Sequence, residues 1–140
     1  MPQDHRLLYR WPEKADDLMR IFIADSNQDF RLGLQMLFRQ EPGMYVTGMA
    51  IETEGLLKQV EASRADVLLL DWHLAGASSM EILPDIHELE PSPKIVVLSP
   101  RPEEEGPALS AGADAFASKN IPPDALLEIV RSLREITVDS

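Results

Sequence analysis

Residues able to act together on one group stand at the ends of short apolar runs. Asp25 and Ser26 follow Ile21-Phe22-Ile23-Ala24, and Asp71 follows Val67 to Leu70. Ser99 follows Ile95 to Leu98, and Lys119 comes just after Ala113 to Ser118. Two carboxylates, a hydroxyl and an ammonium make a set that can accept a phosphoryl group. A carboxylate attacks phosphorus to give an aspartyl phosphate. A divalent cation held by neighbouring oxygens neutralises the developing charge, and the ammonium and hydroxyl take up the remaining phosphoryl oxygens. Each residue alone also has an ordinary reading: Asp71 and Asp25 as caps, Ser99 as a turn hydroxyl, Lys119 as a solvated surface lysine. No GxGxxG or GxxxxGK(S/T) loop is present to cradle a nucleotide, and no Ser–His–Asp set carries a local signature.

The elements that must position these residues follow from periodicity. Ile21 to Ala24, Tyr45 to Ala50, Val67 to Leu70, Ile95 to Leu98 and Ala113 to Ser118 read as five strands. The four consecutive apolar residues of the third suit a strand covered on both faces. Phe30, Leu34, Leu37 and Phe38 recur on one helical face, with Asn27 as N-cap and Pro42-Gly43 as the stop. Leu56, Leu57 and Val60 mark a second helix, with Thr53 as a cap. A third runs from about Ser79 to Leu89, and Pro84 within it should kink it or make its start irregular. The segment Pro100 to Pro107 holds three prolines, one glycine and three successive glutamates. A fourth helix is therefore expected to start near Pro107. Leu126, Ile129, Val130 and Leu133 give the last helix, after Pro122-Pro123. Strands alternating with helices across short loops predict right-handed βαβ units and a parallel sheet, a doubly wound α/β sandwich. In such a sheet ligands bind at the carboxyl ends of the strands, where the strand order reverses. With the flavodoxin-like order 2-1-3-4-5, strands 1 and 3 meet there.

Composition narrows the function classes. The chain has 140 residues, 44% hydrophobic and 26% charged, enough for one domain with its own core. It has no cysteine, which excludes disulfides and thiolate metal sites. Thirteen Lys plus Arg against 24 Asp plus Glu give a formal net charge of −11. That sign argues against nonspecific binding to nucleic acid or anionic membranes. No apolar run approaches the length of a membrane span, so a cytoplasmic protein is expected. Residues 1–18 lack periodicity and read as an N-terminal arm or leader, in which Tyr9 and Trp11 could pack on a neighbour. The domain is placed at residues 19–137, with no output domain after it in this sequence.

From about residue 20 to about 135 the chain resembles the receiver domain of two-component response regulators, nearest to the subfamily with a helix-turn-helix output domain. The segments IFIADSNQDFRLGL, DVLLLDWHLAG, KIVVLSP and SAGADAFASKNIPPDALLEIVR carry the resemblance as an ordered set. It implies a non-enzymatic signalling domain that takes a phosphoryl group from a sensor histidine kinase onto Asp71 with Mg²⁺. Asp25 would belong to the metal-binding acidic pocket, and His73 would give a backbone carbonyl to the metal. Ser99 would contact the phosphoryl group, Lys119 would be its ion-pair partner, and Phe116 would hold the aromatic switch position. A homodimer through the fourth helix, fifth strand and fifth helix is a further implication.

Three departures from the family pattern stand out. The second acid usual after strand 1 is Ser26, leaving at most a weak metal ligand. Losing one unit charge there costs roughly 1–4 kcal/mol, about one to three decades of metal affinity. Ala75 replaces the usual proline four residues after Asp71, and the proline-rich stretch replaces the start of the fourth helix. These departures keep a second reading in play, a pseudo-receiver that binds partners without phosphorylation. A flavin carrier is a third, disfavoured by the lack of a phosphate cradle. His73 is expected to point its ring to solvent, Trp72 either lines the pocket or packs on the sheet, and Glu103-Glu104-Glu105 reads as a solvated helix entry or a device that repels wrong partners.

Overall fold

The computed structural model describes residues 18–138. The arm expected over residues 1–18, with Tyr9 and Trp11, lies outside them apart from Leu18. Strands β1 (Met19–Ala24), β2 (Met44–Ala50), β3 (Val67–Asp71), β4 (Lys94–Ser99) and β5 (Ala115–Ser118) alternate with helices α1 (Gln28–Arg39), α2 (Leu56–Ser63), α3 (Ser79–His87), α4 (Glu105–Ser110) and α5 (Pro123–Val138). The sheet is parallel throughout, in the expected order β2-β1-β3-β4-β5.

The inner strands β1, β3 and β4 carry continuous apolar runs because they are buried on both faces. All five residues of β3 are buried. Alternate residues divide between two cores because strand side chains point to opposite faces. Ile21, Ile23, Leu69 and Leu98 pack with Leu34 and Phe38 of α1 and Leu126 and Val130 of α5. Phe22, Leu68, Leu70 and Val97 pack with Leu56 of α2, Leu83 and Ile86 of α3 and Ala108 of α4. Phe38 is completely buried; removing such a side chain from water contributes roughly 1.5–3 kcal/mol. At Gly48 a Cβ would come within 2.5 Å of the Phe22 ring, so glycine allows that ring to lie against β2.

The register decides where the polar residues emerge. Ala24 is level with Leu70, so Asp25 and Asp71 leave neighbouring strands at the same height. Asp71 is level with Leu98, and Ser99 with Ser118, so Ser99 and Lys119 emerge one and two residues higher. By alternation Asp25, Asp71 and Lys119 share the α1/α5 face, whereas Ser99 belongs to the α2/α3/α4 face.

Some local expectations change. The fourth helix does not wait for Pro107: a 3-10 turn spans Pro102–Glu104 and α4 starts at Glu105. Pro107 is then the third residue of α4, where an amide has no intrahelical acceptor to lose. Helix α3 runs through Pro84 as one segment. The donor lost there leaves the carbonyl of Met80, a half-exposed residue that water reaches. Thr53 does not cap α2 with its side chain; Gly55, in the left-handed region at φ 77°, takes the N-cap position.

Candidate functional site

Asp25 is fixed from several directions. Its Oδ1 accepts a hydrogen bond from the Asn27 amide at 2.8 Å, while the Asn27 side chain caps α1 by accepting from the Phe30 amide at 2.9 Å. The Arg31 guanidinium, one turn on, donates to the Asp25 carbonyl at 2.8 Å. The side chain of Asp25 is completely buried. Its Oδ2 has the Lys119 ammonium, at 2.7 Å, as its polar partner among the described residues. Burial pushes the Asp25 carboxyl above its ordinary value, and the Asp71 charge adds to the rise; Lys119 and the Asn27 amide pull it only part of the way back.

Lys119 joins the two acids. Its Nζ lies 3.5 Å from Asp71 Oδ2 and also sits 4.5 Å from the centre of the Phe30 ring. Asp71 Oδ1 accepts from the His73 amide at 2.9 Å, and the buried Ser79 hydroxyl donates to the Asp71 carbonyl at 2.8 Å. Asp71 is therefore held at both its backbone and its carboxylate. The less constrained oxygen, Oδ2, faces the ammonium.

Ser26 occupies the ground between three loops. Its hydroxyl donates to the Ile51 carbonyl and accepts from the Ala75 amide, both at 3.0 Å. Next to it the Thr53 amide donates to the Ala75 carbonyl at 2.8 Å, and Glu52 and Ala75 form a short parallel bridge. The loop after β3 is thus tied to the loop after β2. An aspartate could accept from Ala75 but could not donate to the Ile51 carbonyl.

Ser99 departs from the group formed by Asp25, Asp71 and Lys119. Its buried hydroxyl accepts from the Arg101 amide at 3.0 Å and donates to Glu104 Oε1. The same carboxylate meets His73 Nε2 at 2.8 and 3.0 Å, and Arg101 lies 3.9 Å from Oε2. So the His73 ring is engaged rather than simply directed to solvent, and Glu104 is not a solvated member of the glutamate run. Burial opposes ionisation of Glu104, but the hydrogen bonds from Ser99 and His73 and the nearby Arg101 guanidinium hold its carboxyl below the usual range. Phe116, part-buried, packs against the core on the α2/α3/α4 face, as does Trp72.

Sequence reasoning missed Glu104, Arg31 and Ser79. Only Ser79, at the start of a recognisable helix, left a local signal; Arg31 reaches the site through its rotamer on α1 and Glu104 through the path of the 3-10 turn.

Among the described residues no three His, Cys, Asp or Glu side chains cluster as a metal cage. The donor set nevertheless fits Mg²⁺, which is held by one or two carboxylates with water and phosphate oxygens completing its shell. The Asp25 and Asp71 carboxylates, leaving neighbouring strands at the same height, support that fit.

The fold agrees with solved receiver structures. The receiver domain of the putative response regulator NarL from Mycobacterium tuberculosis superposes with a TM-score of 0.76 at 22% identity, covering 84% of this chain and 97% of that one. A LuxR-family response regulator from Aurantimonas sp. gives a TM-score of 0.77 at 20% identity, over 84% and 86% of the two chains. The family model for the response regulator receiver domain matches residues 21–131, and the chain belongs to that family. Similar proteins include the nitrate/nitrite response regulator protein NarL of Escherichia coli K12, 32% identical over 110 residues, and the transcriptional regulatory protein DegU of Brevibacillus brevis, 29% identical over 118. These alignments take in 77% and 83% of this chain but 51% and 50% of the relatives, so the chain spans about half the length of the curated proteins it matches. Among the described residues no helix is long and apolar enough to cross a membrane.

Proposed function

We propose that this receiver domain accepts a phosphoryl group on Asp71 from a phosphohistidine of a sensor histidine kinase. The observation that carries this reading is the Lys119 ammonium set between the carboxylates of Asp25 and Asp71, at 2.7 and 3.5 Å. Asp71 Oδ2 attacks phosphorus, the bond from phosphorus to the histidine nitrogen breaks, and an acyl phosphate forms. The His73 amide holds Oδ1 and so orients the attacking carboxylate. Lys119 faces the attacking Oδ2 at 3.5 Å and so can pair with the charged oxygens of the incoming phosphoryl group. Asp25, Asp71 and the His73 carbonyl would hold Mg²⁺, which when bound neutralises charge on the phosphoryl oxygens. The step requires no enzyme activity toward another substrate; the domain acts on its own carboxylate.

The test uses Mg²⁺ and acetyl phosphate, followed by intact-protein mass spectrometry. Wild type is expected to gain the mass of one phosphoryl group and Asp71→Asn to gain none. Equal labelling of the two would remove Asp71 as the acceptor.

The metal site in this reading is weakened by Ser26, whose hydroxyl is already committed to Ile51 and Ala75. Ser26→Asp is expected to tighten Mg²⁺ binding by about one to three decades, since a full charge joins the pocket. It should also lower stability by about 1 kcal/mol, because the Ile51 carbonyl loses its donor. Trp72 fluorescence during a Mg²⁺ titration reads the first effect and a urea melt the second. Unchanged affinity would mean that the residue at this position does not govern the metal.

A further inference from the structure

We propose that Glu104 is a positioning residue that competes with the phosphoryl group for the Ser99 hydroxyl, so that the resting site is latched from within. The inference rests on Asp71 being the phosphoacceptor. Hydrogen bonds lead from that carboxylate through His73 and Glu104 to Ser99. Asp71 Oδ1 takes the His73 amide, the His73 ring reaches Glu104, and Glu104 takes the proton of Ser99. One residue, His73, therefore touches the acceptor through its backbone and the latch through its ring.

A serine hydroxyl has a single proton to donate. Ser99 directs that proton to Glu104, and its oxygen already accepts from the Arg101 amide. Among the described residues the Ser99 hydroxyl bonds to Glu104 and the Arg101 amide rather than to Asp71 or Lys119. A phosphoryl oxygen can take the Ser99 proton only after Glu104 has let it go. The two acceptors also carry charge of the same sign, so the carboxylate opposes a phosphoryl group brought to the same hydroxyl. Glu104 is suited to this competition because it ends the 3-10 turn that leads into α4 and is only 16% exposed at its side chain.

The latch is tested by labelling rates with acetyl phosphate and Mg²⁺, in wild type, Glu104→Gln, Ser99→Ala and the double variant. Glu104→Gln keeps the shape and removes the charge. It is expected to raise the labelling rate about tenfold, the scale set by freeing one charge-assisted hydrogen bond. In the Ser99→Ala background the same change should alter the rate less than about twofold, because the effect passes through the hydroxyl. Glu104→Ala, with folding checked by circular dichroism, should move the rate in the same direction. If wild type is labelled and Glu104→Gln matches its rate, the latch is overturned while Asp71 stands as acceptor. An equal gain with and without the Ser99 hydroxyl also overturns it, leaving only a through-space charge effect. If neither wild type nor Glu104→Gln is labelled, the acceptor reading fails and takes the latch with it.

Discussion

Lys119→Met is expected to destabilise the fold by about 3 kcal/mol at pH 7, because removing one member of a buried ion pair leaves its partner uncompensated. Asp25 has no exposed side-chain surface and its Oδ2 depends on the ammonium at 2.7 Å. The cost has a ceiling, since Asp25 can take up a proton rather than remain a buried anion. From its ordinary value of 3.8 to pH 7 is 3.2 units, which at 1.36 kcal/mol per unit limits the Asp25 contribution to about 4 kcal/mol. At pH 5 the gap is 1.2 units and the limit falls to about 1.6 kcal/mol. Urea melts at the two pH values should therefore show the variant recovering much of its deficit in acid. A deficit that is the same at both would assign the loss to the contact of the ammonium with the Phe30 ring rather than to the Asp25 charge. Phosphorylation should fall in parallel, as the ammonium also faces Asp71.

The second large effect runs the other way. Asp25→Asn is expected to stabilise the protein by about 0.5–2 kcal/mol, as relief of a strained functional group commonly does, while Mg²⁺ binding is lost. The folded carboxyl sits above its ordinary value because burial outweighs the help from Lys119 and the Asn27 amide. A raised acid binds more protons folded than unfolded, so its ionisation makes stability fall as pH rises from 3.8 through the folded value. Asparagine removes that descent, keeps an oxygen for the Asn27 amide and leaves Lys119 paired with Asp71. Stability curves of wild type and variant should separate above pH 3.8 and then run parallel. Added to Lys119→Met, the same change should restore most of the lost stability, because the stranded anion is gone. A variant less stable than wild type at pH 7 would mean that Asp25 holds the fold together rather than costing it energy. Both experiments treat the acidic pocket as a place where stability is exchanged for affinity toward metal and phosphoryl group.

The alternation of strands and helices, the doubly wound sheet and the strand ends at which Asp25, Asp71 and Lys119 stand were legible in the residues alone. Those features depend on apolar periodicity and on where apolar runs stop, both of which are local. Ser99 marks the limit of that reasoning. Its place at the end of β4 was legible, yet the pleat turns it to the opposite face from Asp71, and its proton goes to a carboxylate five residues on. Pro107 misled for a related reason: a helix-start preference cannot reveal that the chain has already begun a 3-10 turn at Pro102. It took the folded chain to show that Ser26 ties together loops 25 and 49 residues away, and that His73 meets Glu104 across 31 residues. Such contacts depend on the paths of irregular loops and on single rotamers, and neither leaves a period in the chain. The direction of the Asp25 shift was decided there too, because it is a balance between complete burial and one ammonium delivered from the far end of the fold.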